Sequence, residues 1–193
     1  MRLMHLSDLH IGKRLNEFSL LDDQSYILDE ILRIAEEQKP DAVAIAGDIY
    51  DKSTPSAEAV ALFDSFISRL ARLVTPVFVI SGNHDSAERI AFGSSLMQTA
   101  GVYLSPVYNG ENSPIKVDDE FGSVNVYMLP FIRPSDVRRV YPDDDTESFD
   151  SAFKAAVSHL NVNEKERNVI IAHQFITGAA AGGSESVSVG GLD

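Results

Sequence analysis

The 193-residue chain contains no cysteine, which excludes both a disulfide framework and a thiolate metal site. That composition fits a reducing compartment, and a cytoplasmic location is the expectation. No apolar run approaches the roughly 18 residues that a membrane span needs, so no membrane partner is expected. The opening MRLMHLSDLH reaches Ser7 and Asp8 too early to form a signal-peptide core. A Gly-x-x-x-x-Gly-Lys-Ser/Thr loop is also missing, so any ATP step is expected to be handled elsewhere. Basic residues are scarce, with 16 Lys+Arg against 29 Asp+Glu and a net charge of −13. A bulk field of that sign repels polyanions, so composition alone argues against DNA. A nucleic-acid substrate would need positive charge from divalent cations, from further C-terminal sequence or from a partner subunit.

What is present reads as one globular domain over residues 1–193, with 44% apolar and 23% charged residues. Apolar strands are expected at residues 2–7, 41–47, 76–81 and 167–172, with shorter ones at 102–107, 115–118 and 123–129. Helical spacing appears over 24–38, where Pro40 ends the pattern, and over 148–160. Thr54-Pro55 reads as an N-cap with proline at the first helical position, opening a helix to about Leu73. Residues 93–100 read as a further helix closed by Gly101, Asn109-Gly110 as a turn, and the Gly/Ala/Ser-rich tail from Thr177 as a loop. The order predicts an α/β fold with mixed sheets inside and helices outside.

Metal-competent side chains recur where these strands end. The first strand runs into Asp8-Leu9-His10, the second into Gly47-Asp48-Ile49-Tyr50-Asp51, the third into Gly82-Asn83-His84-Asp85, and the strand at 167–172 into His173. Ligands bind beside the carboxyl ends of strands in layered α/β proteins, so the four clusters are expected to share one cleft. Carboxylate, imidazole and amide donors without thiolate favour Mn²⁺, Fe²⁺ or Zn²⁺. A bridging carboxylate can hold two ions ~3.5–4 Å apart, a pair that clamps a phosphoryl group. Asp48 is the natural bridge. Asp8 and His10, read as an extended segment, point the same way and can chelate one ion, while Asn83 and His173 can hold the second. His84 is left to donate a proton to the leaving oxygen, with Asp85 orienting its ring.

Other polar residues have plainer readings. His5 is a core or sheet-surface histidine and His159 a surface residue or helix C-terminal charge. Asp143-Asp144-Asp145 is a solvated loop, Arg138-Arg139 an exposed helix face, and Asp22-Asp23 a cap or lead-in to the first helix.

Asp-x-His, Gly-Asp and Gly-Asn-His-Asp, followed by a later histidine, resemble the calcineurin-like metallophosphoesterases. Longer stretches narrow this. SDLHIGKRL, GDIYDKSTPSAEAV, VISGNHDSAERIAFGS, LPFIRPSDVR, AHQFITG and SVGGLD are similar to the bacterial SbcD family of Mre-type nucleases. The resemblance implies a layered α-β-β-α fold and two divalent ions, most often Mn²⁺. Asp8, His10 and Asp48 would serve one ion and Asp48, Asn83 and His173 the other, with His84 acting on the leaving group and Asp85 supporting it. It also implies DNA as substrate, exonuclease and endonuclease activity in DNA repair, recombination and replication, an SbcC-type ATPase partner and a possible homodimer. The family pattern continues with Gly-His-x-His, one further ligand per ion, and with a capping domain. Neither occurs in these residues, so a chain cut before them is expected to bind metal weakly and to have little activity. Another phosphatase or phosphodiesterase of the superfamily is the alternative enzyme. A non-catalytic scaffold is a third reading, disfavoured because the upstream ligand residues are all present.

Overall fold

The computed structural model describes residues 1–175 apart from 75 and 112; the expected tail loop from Thr177 lies outside them. A first strand, β1 (Leu3–Leu6), is followed by a small hairpin, β2 (Arg14–Leu15) and β3 (Phe18–Ser19). Then come α1 (Leu21–Gln38), β4 (Ala42–Ala46), α2 (Ala57–Leu73), β5 (Val77–Ile80), two short helices α3 (Ala87–Ile90) and α4 (Ser94–Gln98), and β6 (Val102–Leu104). The second half runs β7 (Ile115–Asp119), β8 (Gly122–Leu129), α5 (Pro134–Val140), α6 (Phe149–Ser158) and β9 (Arg167–Ala172). Strands β1, β4, β5 and β6 form a wholly parallel sheet in that order. Strand β8 pairs antiparallel with β7 and parallel with β9, giving a mixed second sheet.

All five residues of β4 are buried, and its alternation decides the layering. Val43 and Ile45 face Leu28, Leu32 and Ala35 of α1 and Phe66, Ile67 and Leu70 of α2. Ala42, Ala44 and Ala46 face the other way, into a core shared with Val124, Val126, Met128 and Ile171 of the second sheet. Small alanines on that face let the sheets approach, and a period of two is what gives one strand two different cores. The outer face of the second sheet contributes Leu129, which packs with Ile132, Val137, Ala152 and Ala156 beneath α5 and α6. The result is the α-β-β-α layering that the sequence predicts.

Boundaries differ from expectation for identifiable reasons. Helix α2 is capped by Ser56, whose hydroxyl accepts from the Ala59 N–H at 3.3 Å, so Thr54 and Pro55 lie ahead of the helix. The helix expected over 93–100 shrinks to Ser94–Gln98, with a separate turn of helix before it. Strand β6 ends before Pro106, which has no N–H to continue a ladder. Helix α1 starts earlier than expected, with Asp22 and Asp23 in its first turn. It ends on Lys39 in a left-handed conformation, φ 47°, whose N–H bonds the Ala35 carbonyl. No described helix is long and apolar enough to cross a membrane.

Because Ala44 is fully buried between the sheets, Ala44→Leu should destabilise the fold by about 1–3 kcal/mol through overpacking. Urea unfolding checks this; an unchanged midpoint would mean that the sheets are not closely packed at that position.

Candidate metal centre

The loops that leave β1 and β4 continue side by side beyond the strands. Asp8 N–H bonds Gly47 O at 3.2 Å, His10 N–H bonds Asp48 O at 2.9 Å, Ile11 N–H bonds Ile49 O at 2.9 Å, and Asp51 N–H bonds Ile11 O at 3.2 Å. Asp8, His10 and Asp48 all adopt positive φ, at 56°, 42° and 49°. Asp8 and His10 therefore do not sit on an extended segment, as expected; they sit in a coiled loop. Left-handed backbone costs a non-glycine residue on the order of 1–2 kcal/mol, so the surrounding hydrogen bonds must hold it.

Two glycines are needed where these loops meet. A Cβ on Gly82 would lie 2.1 Å from Asp48 Oδ1 and 2.2 Å from its backbone nitrogen. One on Gly47, at φ 89°, would lie 2.6 Å from His173 Nδ1. The glycines of the Gly-Asp and Gly-Asn-His-Asp motifs thus make room for the ligands themselves.

Six of the seven residues singled out from the sequence converge on one point. Asp48 is 3% exposed, and its Oδ1 accepts the His84 backbone N–H at 2.9 Å. Its Oδ2 lies 3.6 Å from His173 Nε2, 3.7 Å from His10 Nε2 and 4.0 Å from His84 Nε2. Asp8 Oδ1 is 3.8 Å from His10 Nε2, and Ser7 donates its hydroxyl to the other Asp8 oxygen. Asn83 Oδ1 is 3.1 Å from His173 Nε2. Two potential ligand groups share Asp48, one with His10 and His84 and one with Asp8 and His173. His84 thus lies beside His10, Asp8 is near both His10 and His173, and Asn83 is beside His173.

Divalent ions fit this arrangement. Two donors bound to one ion at ~2.1 Å stand about 3–4 Å apart when they approach from different directions, the range seen around Asp48 Oδ2 and too long for hydrogen bonds. The ring of His173 supplies a second indication. Its Nδ1 is 2.7 Å from Ala46 O, which can only accept, so Nδ1 carries the proton. In the neutral ring Nε2 is then an acceptor facing another acceptor, Asn83 Oδ1, and a cation relieves that opposition. Among the described residues His10 Nδ1 is buried without a hydrogen-bond partner, the Asp51 Oδ1 carboxylate oxygen lying 4.0 Å away.

Asp85 is the seventh residue, and its place corrects the expectation. Its carboxylate accepts from the Gly82, Tyr50 and Ile49 N–H groups at 2.9, 3.0 and 3.1 Å. It makes no hydrogen bond to His84, whose Nδ1–H donates instead to Asp51 O at 3.0 Å. Asp85 therefore ties two ligand-bearing loops together rather than orienting the imidazole. Burial pushes its pKa up, against the three N–H bonds that pull it down. Burial and the nearby Asp85 and Asp64 carboxylates push Tyr50 up to about 12. At Asp48 burial again acts upward, but His173 and the His84 N–H outweigh it and hold the carboxyl below its ordinary range. Burial lowers the His173 pKa, and the nearby Asp48 carboxylate and the bond to Ala46 O, together with the charge on Asp8, more than reverse this, raising it to about 8.

Sequence reasoning missed Gln24 and the backbone of Asp51. Gln24 lies in the first turn of α1, and its side chain bonds three backbone groups of the Asp8–Gly12 loop. Its only sequence signal is polarity at the start of an amphipathic helix. The residues given plainer readings keep away from the cluster. His159 stacks on Tyr141 with ring centroids 3.7 Å apart and bonds Asp144 at 2.7 Å, so the acidic run is not wholly solvated. Arg138 bonds Thr146 through both its hydroxyl and its carbonyl, and is therefore not a free phosphate-binding group. His5 is an exposed residue of β1.

This α-β-β-α fold with carboxylate and imidazole at four strand ends defines a class of phosphoester hydrolase. The family model described as calcineurin-like phosphoesterase matches residues 1–188. The chain belongs to that family, whose members use divalent metal ions. Among solved structures the chain is similar to the Pseudomonas putida nuclease MPE, with 19% identity and a TM-score of 0.39. The match covers 67% of this chain and 55% of that one, so the chain spans about half the length of that nuclease.

The raised His173 pKa gives a pH prediction. Its folded value of about 8 exceeds the ordinary ~6.5, so in the metal-free protein its contribution to stability is fully present below ~6.5 and is lost as pH rises through about 8. Divalent ions need the neutral ring, so their binding near pH 7 should release a proton from His173. NMR titration of the His173 ring checks both points: a midpoint near 8 without metal, and no titration near that pH with a saturating ion. A metal-free midpoint at or below 6.5 would contradict the assignment.

Proposed function

We propose that the chain is the catalytic part of an SbcD-type, Mre-like DNA nuclease that hydrolyses phosphodiester bonds with two divalent ions, most often Mn²⁺, and works with an SbcC-type ATPase in DNA repair, recombination and replication. One observation carries the two-metal part: a single buried carboxylate, Asp48, is shared by two groups of potential ligands. Asp8, His10, Asp48, Asn83 and His173 are the residues that would hold the ions. The DNA part rests on the long segments from SDLHIGKRL to SVGGLD. The bordering loops add support despite the net charge of −13. Lys13, Lys52 and Arg133 are exposed on the loops that follow β1, β4 and β8, and Arg89 is exposed on the short helix α3 after β5, where it donates to Ser53 O at 2.6 Å. Lys13, Lys52 and Arg89 lie on connecting segments that also carry candidate ligands, beside acidic residues such as Asp51 and Glu88, and would favour a phosphate backbone there.

Bound divalent ions supply positive charge against the phosphate oxygens and make water more acidic. The chain supplies the rest. Asp51 O fixes the His84 ring through Nδ1–H, and the His84 side chain is 43% exposed with Nε2 on the Asp48 side. Protonated at Nε2, it would give that proton to the leaving oxygen as the phosphorus–oxygen bond breaks, while the attacking water bonds to phosphorus and releases one proton to solvent. The alternative, a phosphatase or phosphodiesterase acting on small substrates, uses the same side chains.

Digestion of linear duplex DNA with Mn²⁺ by a chain that also carries the Gly-His-x-His ligands, compared with this one and with and without the ATPase and ATP, separates these readings. The nuclease reading expects degradation. Turnover of small phosphomonoesters with intact DNA would favour the alternative. His84→Gln should lower DNA turnover by roughly 10²–10⁴-fold with metal content unchanged. Loss of metal from that variant would instead make His84 a ligand, as its proximity to His10 and Asp48 allows.

A further inference from the structure

The three histidines of the centre are not held alike. His173 and His84 each anchor Nδ1 on a backbone carbonyl, of Ala46 and Asp51. Among the described residues His10 has no such anchor: its buried Nδ1 lacks a hydrogen-bond partner, with Asp51 Oδ1 standing off at 4.0 Å. The place of its ring therefore depends on where its backbone sits, and that backbone adopts positive φ, as does Asp8 two residues earlier.

One side of the loop is tied to the residues after β4. The other side is held by the Gln24 side chain and by the turn in which Lys13 N–H donates to His10 O at 3.0 Å. Gln24 Nε2 donates to His10 O at 2.7 Å and to Leu9 O at 3.2 Å, while Oε1 accepts the Gly12 N–H at 2.9 Å. A primary amide is the group that can do this, with two donors for two carbonyls and an acceptor for an N–H. Helix α1 presents it rigidly, because Gln24 lies one turn after the cap residue and its own N–H bonds Leu20 O at 2.8 Å. The helix packs on the parallel sheet through Leu28, Leu32 and Ala35, so the sheet, α1 and the loop form one connected support.

We propose that Gln24 is a positioning residue for the metal centre: by clamping the backbone of Leu9, His10 and Gly12 it presents His10 to the ion that His10 shares with Asp48, and bears less on the His173 side, whose Asp8 it does not bond. The proposal rests on the metal-centre reading above. Gln24→Glu is the informative variant, since it keeps the acceptor for Gly12 and replaces the two donors with a group that repels the Leu9 and His10 carbonyls. Gln24→Ala removes all three bonds.

The test is a titration of the chain with Zn²⁺ alone, following the ¹⁵N shifts of the His10 and His173 rings separately. Gln24→Glu should raise the Zn²⁺ midpoint at His10 by roughly tenfold or more, the range for lost support around a ligand, and move the His173 midpoint by less than about twofold. Amide exchange without metal provides a second readout: Gly12 protection should fall in Gln24→Ala and persist in Gln24→Glu. A general loss of folding would shift both rings together and would overturn the proposal, as would an unchanged His10 midpoint in Gln24→Glu. Absence of Zn²⁺ binding in the unaltered chain would overturn the metal reading and this proposal together, whereas binding there with an unchanged variant overturns this proposal alone.

Discussion

A carboxylate that is 3% exposed at the end of a fully buried strand has lost most of its water, and an uncompensated charge there costs several kcal/mol. Asp48 meets part of that cost with one backbone N–H on Oδ1, and the protonated His173 ring lies beside Oδ2 with His10 and His84, a side that cations would complete. The arrangement sets what its neighbours can be. Gly82 has no space for a Cβ because Asp48 occupies it, and Gly47 has none because His173 does. The parallel sheet brings β1, β4 and β5 to one edge of the cleft, and β9 of the second sheet delivers His173 across the alanine-lined interface. Two sheets are therefore needed to surround one carboxylate.

The layering could be read from the sequence because burial and periodicity coincide. The run DAVAIAG has no polar face, so it had to lie between two apolar layers, and the structure shows alanines toward one and Val43 and Ile45 toward the other. The ligand residues were readable for a related reason: charged and imidazole side chains directly after buried strands have little structural purpose unless something binds them. Six of the seven meet. The detailed partition did not follow, because which imidazole lies beside which carboxylate depends on loop conformations, including the positive φ of Asp8, His10 and Asp48, that spacing along the chain does not encode.

The supporting interactions were the least visible part. Asp85 looked like a partner for its neighbour His84, yet its carboxylate is taken by three N–H groups from two loops. Gln24 stands more than ten positions from the loop it holds and belongs to no motif. Both act on backbone groups, which every residue possesses, so no side-chain pattern marks their partners. The −13 charge is the least informative feature, since a total says nothing about where the individual cations sit along the chain.

The claim at the centre is that one carboxylate serves two metal ions. Calorimetric titration of Mn²⁺ into the chain and into Asp48→Asn tests it most directly, because asparagine keeps an oxygen for the His84 N–H and loses only the charge. A shared carboxylate predicts that every Mn²⁺ binding event in the unaltered chain is lost or greatly weakened in the variant. One ion retained at unaltered affinity would contradict it.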